Sequence, residues 1–280
     1  MENTSQTHPH IIRNIVIFMV LVIALGWLGW LVGAIGDSAE SRDLGSLVFV
    51  VSPLVACVAL RLFGGDGWQD LGLKPRFKGN GLGYALSVLV YPVTVGLVLL
   101  VGAMFGGITF DFSGDKAAAF VPALLGALAF NFVRNIFEEF GWRGYLTPKL
   151  AKLTLPHVTP HLITGAIWGI WHLPYYLGLL NASEIQLYTS QNLAIFILFT
   201  ILGLIAASIA FGEIRLLTGS VWPAVLMHAV SNAIILTLLT GGYARIQPAT
   251  ELLFTPGMHS ILSMVIIVVI GWWMYRRRVQ

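Results

Sequence analysis

The chain has 280 residues, of which 57% are hydrophobic and only 10% charged, whereas soluble globular domains carry about 25% charged residues. A net charge of +3, carried mostly in short loops beside apolar segments, does not indicate a nucleic-acid partner. A single cysteine, Cys57, excludes an internal disulfide framework and a multi-cysteine metal site. The composition predicts an all-α, polytopic integral membrane protein.

Apolar segments long enough to cross a bilayer follow one another along the whole chain. A spanning helix needs about 20 mostly apolar residues. The candidate segments are 12–36, 44–63, 81–107, 117–146, 161–180, 192–212, 219–240 and 258–275. We therefore expect about eight transmembrane helices that form a single membrane domain over residues 1–280. Polar interruptions are concentrated in spans four to seven.

The lysines and arginines predict the orientation, because they are enriched in cytoplasmic loops. With a cytoplasmic N-terminus, eleven of the 16 lie at the inner side and three lie outside, namely Arg42, Lys116 and Arg245. The remaining two lie within a span. An even number of spans returns the C-terminus to the same face. Both termini are thus predicted to be cytoplasmic.

Ionisable groups inside a span are candidates for function, because insertion scales give a cost of about 2.5–3.5 kcal/mol for Asp, Lys or Arg at mid-helix. Three motifs with the i, i+4 spacing of one helix face carry such groups. They are EExxxR at Glu138, Glu139 and Arg143, WxxxH at Trp168 and His172, and HxxxN at His228 and Asn232. By contrast, Arg134 and Glu213 are interpreted as structural, His161 as a loop residue, and His259 receives no role.

The spacing within the first motif separates the two glutamates. Glu139 and Arg143 share one face in the order that favours an intrahelical ion pair. Glu138 is rotated by about 100° and is free to face a cavity. Counted from the predicted inner ends, Glu138, His172 and His228 lie about 12, 16 and 14 Å deep, at a rise of about 1.5 Å per residue. We therefore expect these three side chains to meet.

A buried carboxylate beside a histidine is the minimum for activating a water molecule. The second histidine and Asn232 can donate hydrogen bonds to an oxyanion. Two histidines and one glutamate can also bind a catalytic zinc ion, so Glu138, His172 and His228 are candidate metal ligands. Two other functions fit the same residues. A transporter could use the Glu/His groups as an ion relay, and a non-proteolytic immunity or scaffold protein could retain the motifs.

The ordered motifs in "FEEFGWRGYL", "WGIWHLP" and "MHAVSN" resemble those of the CPBP family, also called the Abi family. It comprises CAAX-type prenyl endopeptidases and bacteriocin-processing or immunity membrane proteins. The loop "DLGLKP" and the segment "TGSVWPAVLMHAVSN" add to the resemblance. It implies an eight-helix intramembrane metalloendopeptidase with its catalytic core in residues 117–240. It also implies a bacterial plasma-membrane protein.

Carried over to this chain, the resemblance implies that Glu138 and His172 activate the water and that His228 and Asn232 complete the site. Glu139 and Arg143 would hold the first motif in place. The expected reaction is cleavage of a peptide or protein, lipidated ones included, near the cytoplasmic membrane face. A divalent metal such as zinc stays open as a cofactor. One departure is Trp168, because the second motif usually begins with Phe, and this change affects the shape of the pocket.

Overall fold

The computed structural model describes residues 8–36 and 38–280, and it is built almost entirely of helices. The α-helices are α1 (His8–Ile35), α2 (Ala39–Phe63), α3 (Gly81–Met104), α4 (Lys116–Gly141), α5 (Thr147–Leu150), α6 (Thr159–Trp171), α7 (Ala182–Gln186), α8 (Leu193–Thr218), α9 (Trp222–Thr240), α10 (Glu251–Phe254) and α11 (Ile261–Val279). Two π-helical turns (Trp142–Leu146 and Tyr175–Leu179), a 3₁₀ turn (Pro248–Thr250) and the strands β1 (Ile108–Phe110) and β2 (Ala244–Ile246) complete it.

Within the described residues, six helices are long and apolar enough to cross a membrane. They are His10–Ile35, Ala39–Phe63, Gly81–Met104, Lys116–Leu150, Leu193–Thr218 and Trp222–Thr240. The polytopic helical bundle is therefore confirmed, while the number of eight spans stays a prediction. The eighth candidate is the helix α11, whose last turn carries three arginines, Arg276, Arg277 and Arg278.

The fourth and fifth predicted spans differ from the structure at their C-terminal ends. The fourth does not end at Leu146, because the π-helical turn Trp142–Leu146 leads directly into α5. Pro148 has no N–H for the Gly144 carbonyl oxygen, and that oxygen accepts a hydrogen bond from Arg61 Nη2 at 2.9 Å instead. The fifth was predicted as one span over 161–180, but the helix α6 ends at Trp171 and resumes as the second π-helical turn. Such turns are frequent at functional sites.

The helices begin and end at two opposite ends of the bundle. At the hairpin end, β1 pairs antiparallel with β2, with Thr109 opposite Arg245. The connection between α7 and α8 lies at the same end, because the Ser190 backbone N–H donates to Glu251 at 2.9 Å. At the other end, which we call the terminal end, α1 begins and α11 finishes.

The loop 64–80 covers the terminal end and is bound there by ion pairs. Lys149 Nζ lies 2.7 Å from Asp66 Oδ1 and 3.3 Å from Asp70 Oδ2. Lys152 and Arg61 also pair with Asp70, at 2.6 and 2.9 Å. Burial opposes ionisation of Asp70, but the hydrogen bonds from Lys152 and Arg61 outweigh it and lower its pKa to about 2.

Candidate active site

One cavity of about 140 Å³ lies inside the bundle, and it is lined by five of the residues predicted from the motifs. They are Glu138 of α4, Trp168 of α6, His172 just after it, and His228 and Asn232 of α9. A single water needs only about 10–15 Å³ by the same measure, so the cavity can hold several waters or part of a peptide. Three chain-distant segments therefore meet at one space, as the depth estimate predicts.

Glu138 lies at the wall of this cavity with only 2% of its surface exposed. Its Oε2 accepts a hydrogen bond from the Trp168 indole Nε1–H at 3.1 Å. Its Oε1 lies 3.8 Å from Arg134 Nη2, one helical turn away. One donor and one nearby cation therefore hold a carboxylate that is otherwise directed at the cavity.

Glu139 has different partners, although it is the next residue along the helix. Its Oε1 accepts hydrogen bonds from Arg143 Nη1 and from His228 Nδ1, both at 2.9 Å. The predicted Glu139–Arg143 pair is thus present, and it lies in a fully buried position. Because an ionised carboxylate only accepts hydrogen bonds, His228 Nδ1 carries a proton. The second ring nitrogen, Nε2, is then left for the cavity.

The Arg143 guanidinium lies between two aromatic rings. Its central carbon is 4.2 Å from the Trp168 ring centroid and 4.6 Å from that of Phe211. Its Nη2 donates to Ser208 Oγ at 3.1 Å. Cation–π contacts of this kind are stronger in desolvated sites than on a surface. Arg143 therefore links α4 to α6 and α8 beneath the cavity.

His172 is placed by the end of the helix α6. Its Nδ1 lies 2.8 Å from the Trp168 carbonyl oxygen, which only accepts, so Nδ1 carries the proton and Nε2 is the basic nitrogen. Asn232 donates from Nδ2 to Asn135 Oδ1 at 3.4 Å. Trp168 thus contacts Glu138 through its indole N–H and His172 through its carbonyl oxygen.

Comparison with known proteins agrees with these motifs. The family model described as type II CAAX prenyl endopeptidase Rce1-like matches residues 119–234. The chain is also 34% identical over 91 residues to the protein named CAAX prenyl protease 2 of Methanococcus maripaludis, a match that covers 31% of each protein. Over this segment the chain is similar to the CAAX prenyl endopeptidases. The resemblance read from the motifs is therefore confirmed at the level of the family.

The matched segment contains every site residue predicted from the motifs. The candidate metal ligands do not form a metal site in the described structure. Over residues 8–36 and 38–280, no three His, Cys, Asp or Glu side chains are grouped closely enough to hold an ion. Glu138, His172 and His228 line the same cavity without forming such a group, so we derive no step through a metal.

The structure also brings to the cavity two residues to which the sequence analysis gave no role in the site. Arg134 lines it one turn from Glu138, and the i, i+4 spacing of the two was the available signal. His259 lines it too, with Nδ1 3.0 Å from Thr200 Oγ1. No signal in the sequence connects His259 to the motifs, because it lies in the connection before α11.

His161 was wrongly interpreted as a loop residue. It lies in the first turn of α6, is buried, and its Nε2 is 2.8 Å from Glu213 Oε1. Glu213 also accepts from Arg278 Nε at 2.7 Å, so this group fastens α11 to α6 and α8. These contacts favour the structural interpretation of Glu213.

Proposed function

We propose that this chain is an intramembrane endopeptidase of the CAAX prenyl endopeptidase type, with its catalytic core in residues 117–240 of a single membrane domain. Glu138 and His172 activate a water molecule that attacks a peptide carbonyl carbon. The observation that carries the proposal is one buried cavity lined by Glu138, His172, His228 and Asn232. The family of the segment 119–234 supports the same reaction class.

In this mechanism Glu138 is the general base. It removes a proton from water as the oxygen–carbon bond forms, and the carbonyl oxygen becomes an oxyanion. Asn232 is a donor placed to stabilise that charge, and His228 can join it only when Nε2 carries a proton in addition to Nδ1. Such stabilisation is usually a large contribution to catalysis. When the carbon–nitrogen bond breaks, the proton held by Glu138 passes to the departing amine. The products are a new carboxylate and a new amine.

The supporting residues have two tasks in the proposed mechanism. Trp168 orients the Glu138 carboxylate through the hydrogen bond at 3.1 Å. Glu139 orients His228, while Arg143 balances the charge of Glu139. Groups fixed in this way need little reorganisation during the reaction, which is the main source of electrostatic catalysis.

The cavity walls indicate the kind of peptide that fits. Aromatic and aliphatic side chains form most of the remaining lining, including Tyr175, Tyr176, Phe196, Leu204 and Ile235. We propose that the substrate is a membrane-associated peptide or protein with apolar residues or a lipid group near the scissile bond. We place the enzyme in the bacterial plasma membrane.

The test is cleavage of a peptide library by purified protein, with products identified by mass spectrometry. Glu138→Gln keeps an oxygen that can accept from Trp168 but removes the base, so we expect cleavage to be lost. Glu40→Gln is the matched control, because Glu40 is an exposed glutamate in the first turn of α2. Equal cleavage by wild type and Glu138→Gln would refute the proposal. A wild-type protein that cleaves no peptide would favour the scaffold alternative.

A further inference from the structure

The cavity extends from Glu138 toward one end of the bundle only. Apart from the site residues of α4, α6 and α9, the lining residues are on segments that reach the hairpin end. Tyr175 and Tyr176 are in the second π-helical turn, Leu180 and Tyr188 flank α7, Phe196, Thr200 and Leu204 are in the first half of α8, Ile235 and Leu236 are near the end of α9, and Met258 and His259 precede α11.

No lining residue comes from the described loops of the terminal end, which are 64–80, 151–158 and 219–221. Glu138 lies twelve residues before Leu150, which is about 18 Å at the usual helical rise. The intervening space is packed. Trp142, Tyr145 and Leu146 have no exposed surface, and Leu71 of the loop 64–80 packs into the same core.

Hydrogen bonds between backbone and side chains fasten the loop over this end. Arg215 donates from Nη2 to the Asp70 carbonyl oxygen at 2.6 Å and from Nε to the Arg143 carbonyl oxygen at 2.8 Å. The Val221 backbone N–H donates to the Gly72 carbonyl oxygen at 3.0 Å. The terminal end is thus covered by a loop that is bonded to α5, α8 and the start of α9.

The positive charges assign a membrane face to each end. The terminal end carries eleven lysines and arginines: Arg13, Arg61, Lys74, Arg76, Lys78, Lys149, Lys152, Arg215, Arg276, Arg277 and Arg278. The hairpin end carries three, Arg42, Lys116 and Arg245. An excess of this size in short loops marks the cytoplasmic side. The end toward which the cavity extends is then the extracytoplasmic one.

We propose that the substrate enters from the extracytoplasmic face, as an exported or outward-facing segment of a peptide or protein. That the entering molecule is a substrate rests on the proposed function. The membrane face toward which the cavity extends does not. It changes one expectation from the sequence. Cytoplasmic termini and cleavage from the cytoplasmic face exclude each other here, because the termini lie at one end of the bundle and the cavity extends toward the other.

The test is side-specific labelling with a membrane-impermeant maleimide, which needs no catalysis. Cys57, which is buried, is first replaced by Ala. Single cysteines are then placed at Ser113 of the hairpin end, at Lys78 of the terminal end and at Leu236 in the cavity; Ser113 and Lys78 are exposed. Each is assayed in sealed right-side-out and inside-out vesicles.

We expect Ser113→Cys and Leu236→Cys to be labelled in right-side-out vesicles only, and Lys78→Cys in inside-out vesicles only. Labelling of Leu236→Cys together with Lys78→Cys would overturn the inference, and so would labelling of Ser113→Cys from the cytoplasmic face. Leu236→Cys that reacts from neither face also contradicts it. If that variant fails to insert, Thr200→Cys, at another lining position, replaces it.

A second arm separates this inference from the proposed function. An impermeant peptide that the detergent-solubilised enzyme cleaves is added outside right-side-out or inside-out vesicles. We expect cleavage only in the right-side-out preparation, and cleavage only in the inside-out preparation would contradict the assignment of the face. If no peptide is cleaved in detergent, the proposed function fails while the labelling result still decides which face the cavity opens to.

Discussion

Replacing Glu139 by Gln should destabilise the protein far more than the same replacement of Glu138. Both donors to Glu139, Arg143 Nη1 and His228 Nδ1, contact the same oxygen atom, Oε1. The oxygen of Gln can still accept from both, so the substitution removes mainly the negative charge. Arg143 has no exposed surface and would be left as a buried cation without its partner.

Removing one member of a buried ion pair costs about 3–5 kcal/mol. At about 2–4 °C per kcal/mol for chains of this size class, Glu139→Gln should lower Tm by roughly 6–20 °C. Thermal unfolding in detergent, followed by intrinsic fluorescence, measures the change. Glu138→Gln is the matched control and should remain near the wild-type Tm, because Gln can still accept from Trp168.

A double variant tests whether the loss of stability comes from the unpaired Arg143 cation. Adding Arg143→Met to Glu139→Gln removes the unpaired cation and should restore part of the lost stability, since apolar replacement of a whole buried pair is often neutral. The interaction energy from the double-mutant cycle should then be of opposite sign to the two single losses. A Glu139→Gln protein within about 1 kcal/mol of wild type would refute a role for this charge in holding the site together.

The remaining predictions concern the indole donor, the pH dependence and metal removal. Trp168→Phe keeps a ring over Arg143 but removes a hydrogen bond to a charged acceptor, worth about 1.5–3 kcal/mol. Tm should therefore fall by roughly 3–12 °C, and kcat/KM, measured well below Tm, should fall roughly 10- to 150-fold; an unchanged kcat/KM would argue against Trp168 as a positioning residue. The pKa of Asp70, near 3.8 when unperturbed and about 2 in the fold, means that its stabilisation of about 2 kcal/mol is present above pH 4 and is lost as the pH falls toward 2. Unfolding measured across this range should show that loss in wild type and not in Asp70→Asn, and identical profiles would contradict it. In the proposed mechanism the Glu138 carboxylate takes the proton from water without a metal ion, so EDTA should leave the cleavage rate unchanged; a rate lost with EDTA and restored by zinc would show that this expectation is wrong.

Local geometry explains which contacts could be predicted from the sequence. The i, i+4 spacing fixes neighbours on one helix, so the Glu139–Arg143 pair and the proximity of Trp168 to His172 follow from the motifs alone. Counting residues from the helix ends also gives the depth of each group. These two rules together predict that Glu138 and the two histidines meet at one level.

Contacts between helices could not be predicted in the same way. The hydrogen bond from Trp168 to Glu138 and the one from His228 to Glu139 depend on how three helices are rotated about their axes, which residue counting leaves open. The interruption of the fifth span after Trp171 did have a local signal that the prediction of one span over 161–180 did not use. Pro174 has no N–H for the carbonyl oxygen of Ile170, which disfavours a continuous helix through this run.

The end of the bundle toward which the cavity extends could not be predicted from the sequence, for a related reason. Lysine and arginine counts distinguish the two ends of the bundle, but they do not tell which end is closed by packing. Closure depends on the loop 64–80 folding back over α4 and α8, through contacts such as Arg215 to the Asp70 carbonyl oxygen. Those residues are separated by 145 positions along the chain.

The central claim is that Glu138 activates a water molecule instead of attacking the peptide itself. Single-turnover cleavage in ¹⁸O-labelled water, with enzyme in excess over a cleaved peptide, tests it most directly. Direct attack by water predicts one ¹⁸O atom in the new carboxylate of the first-turnover product and none in Glu138. A first product without ¹⁸O, together with label in the Glu138 carboxyl group, would contradict the mechanism.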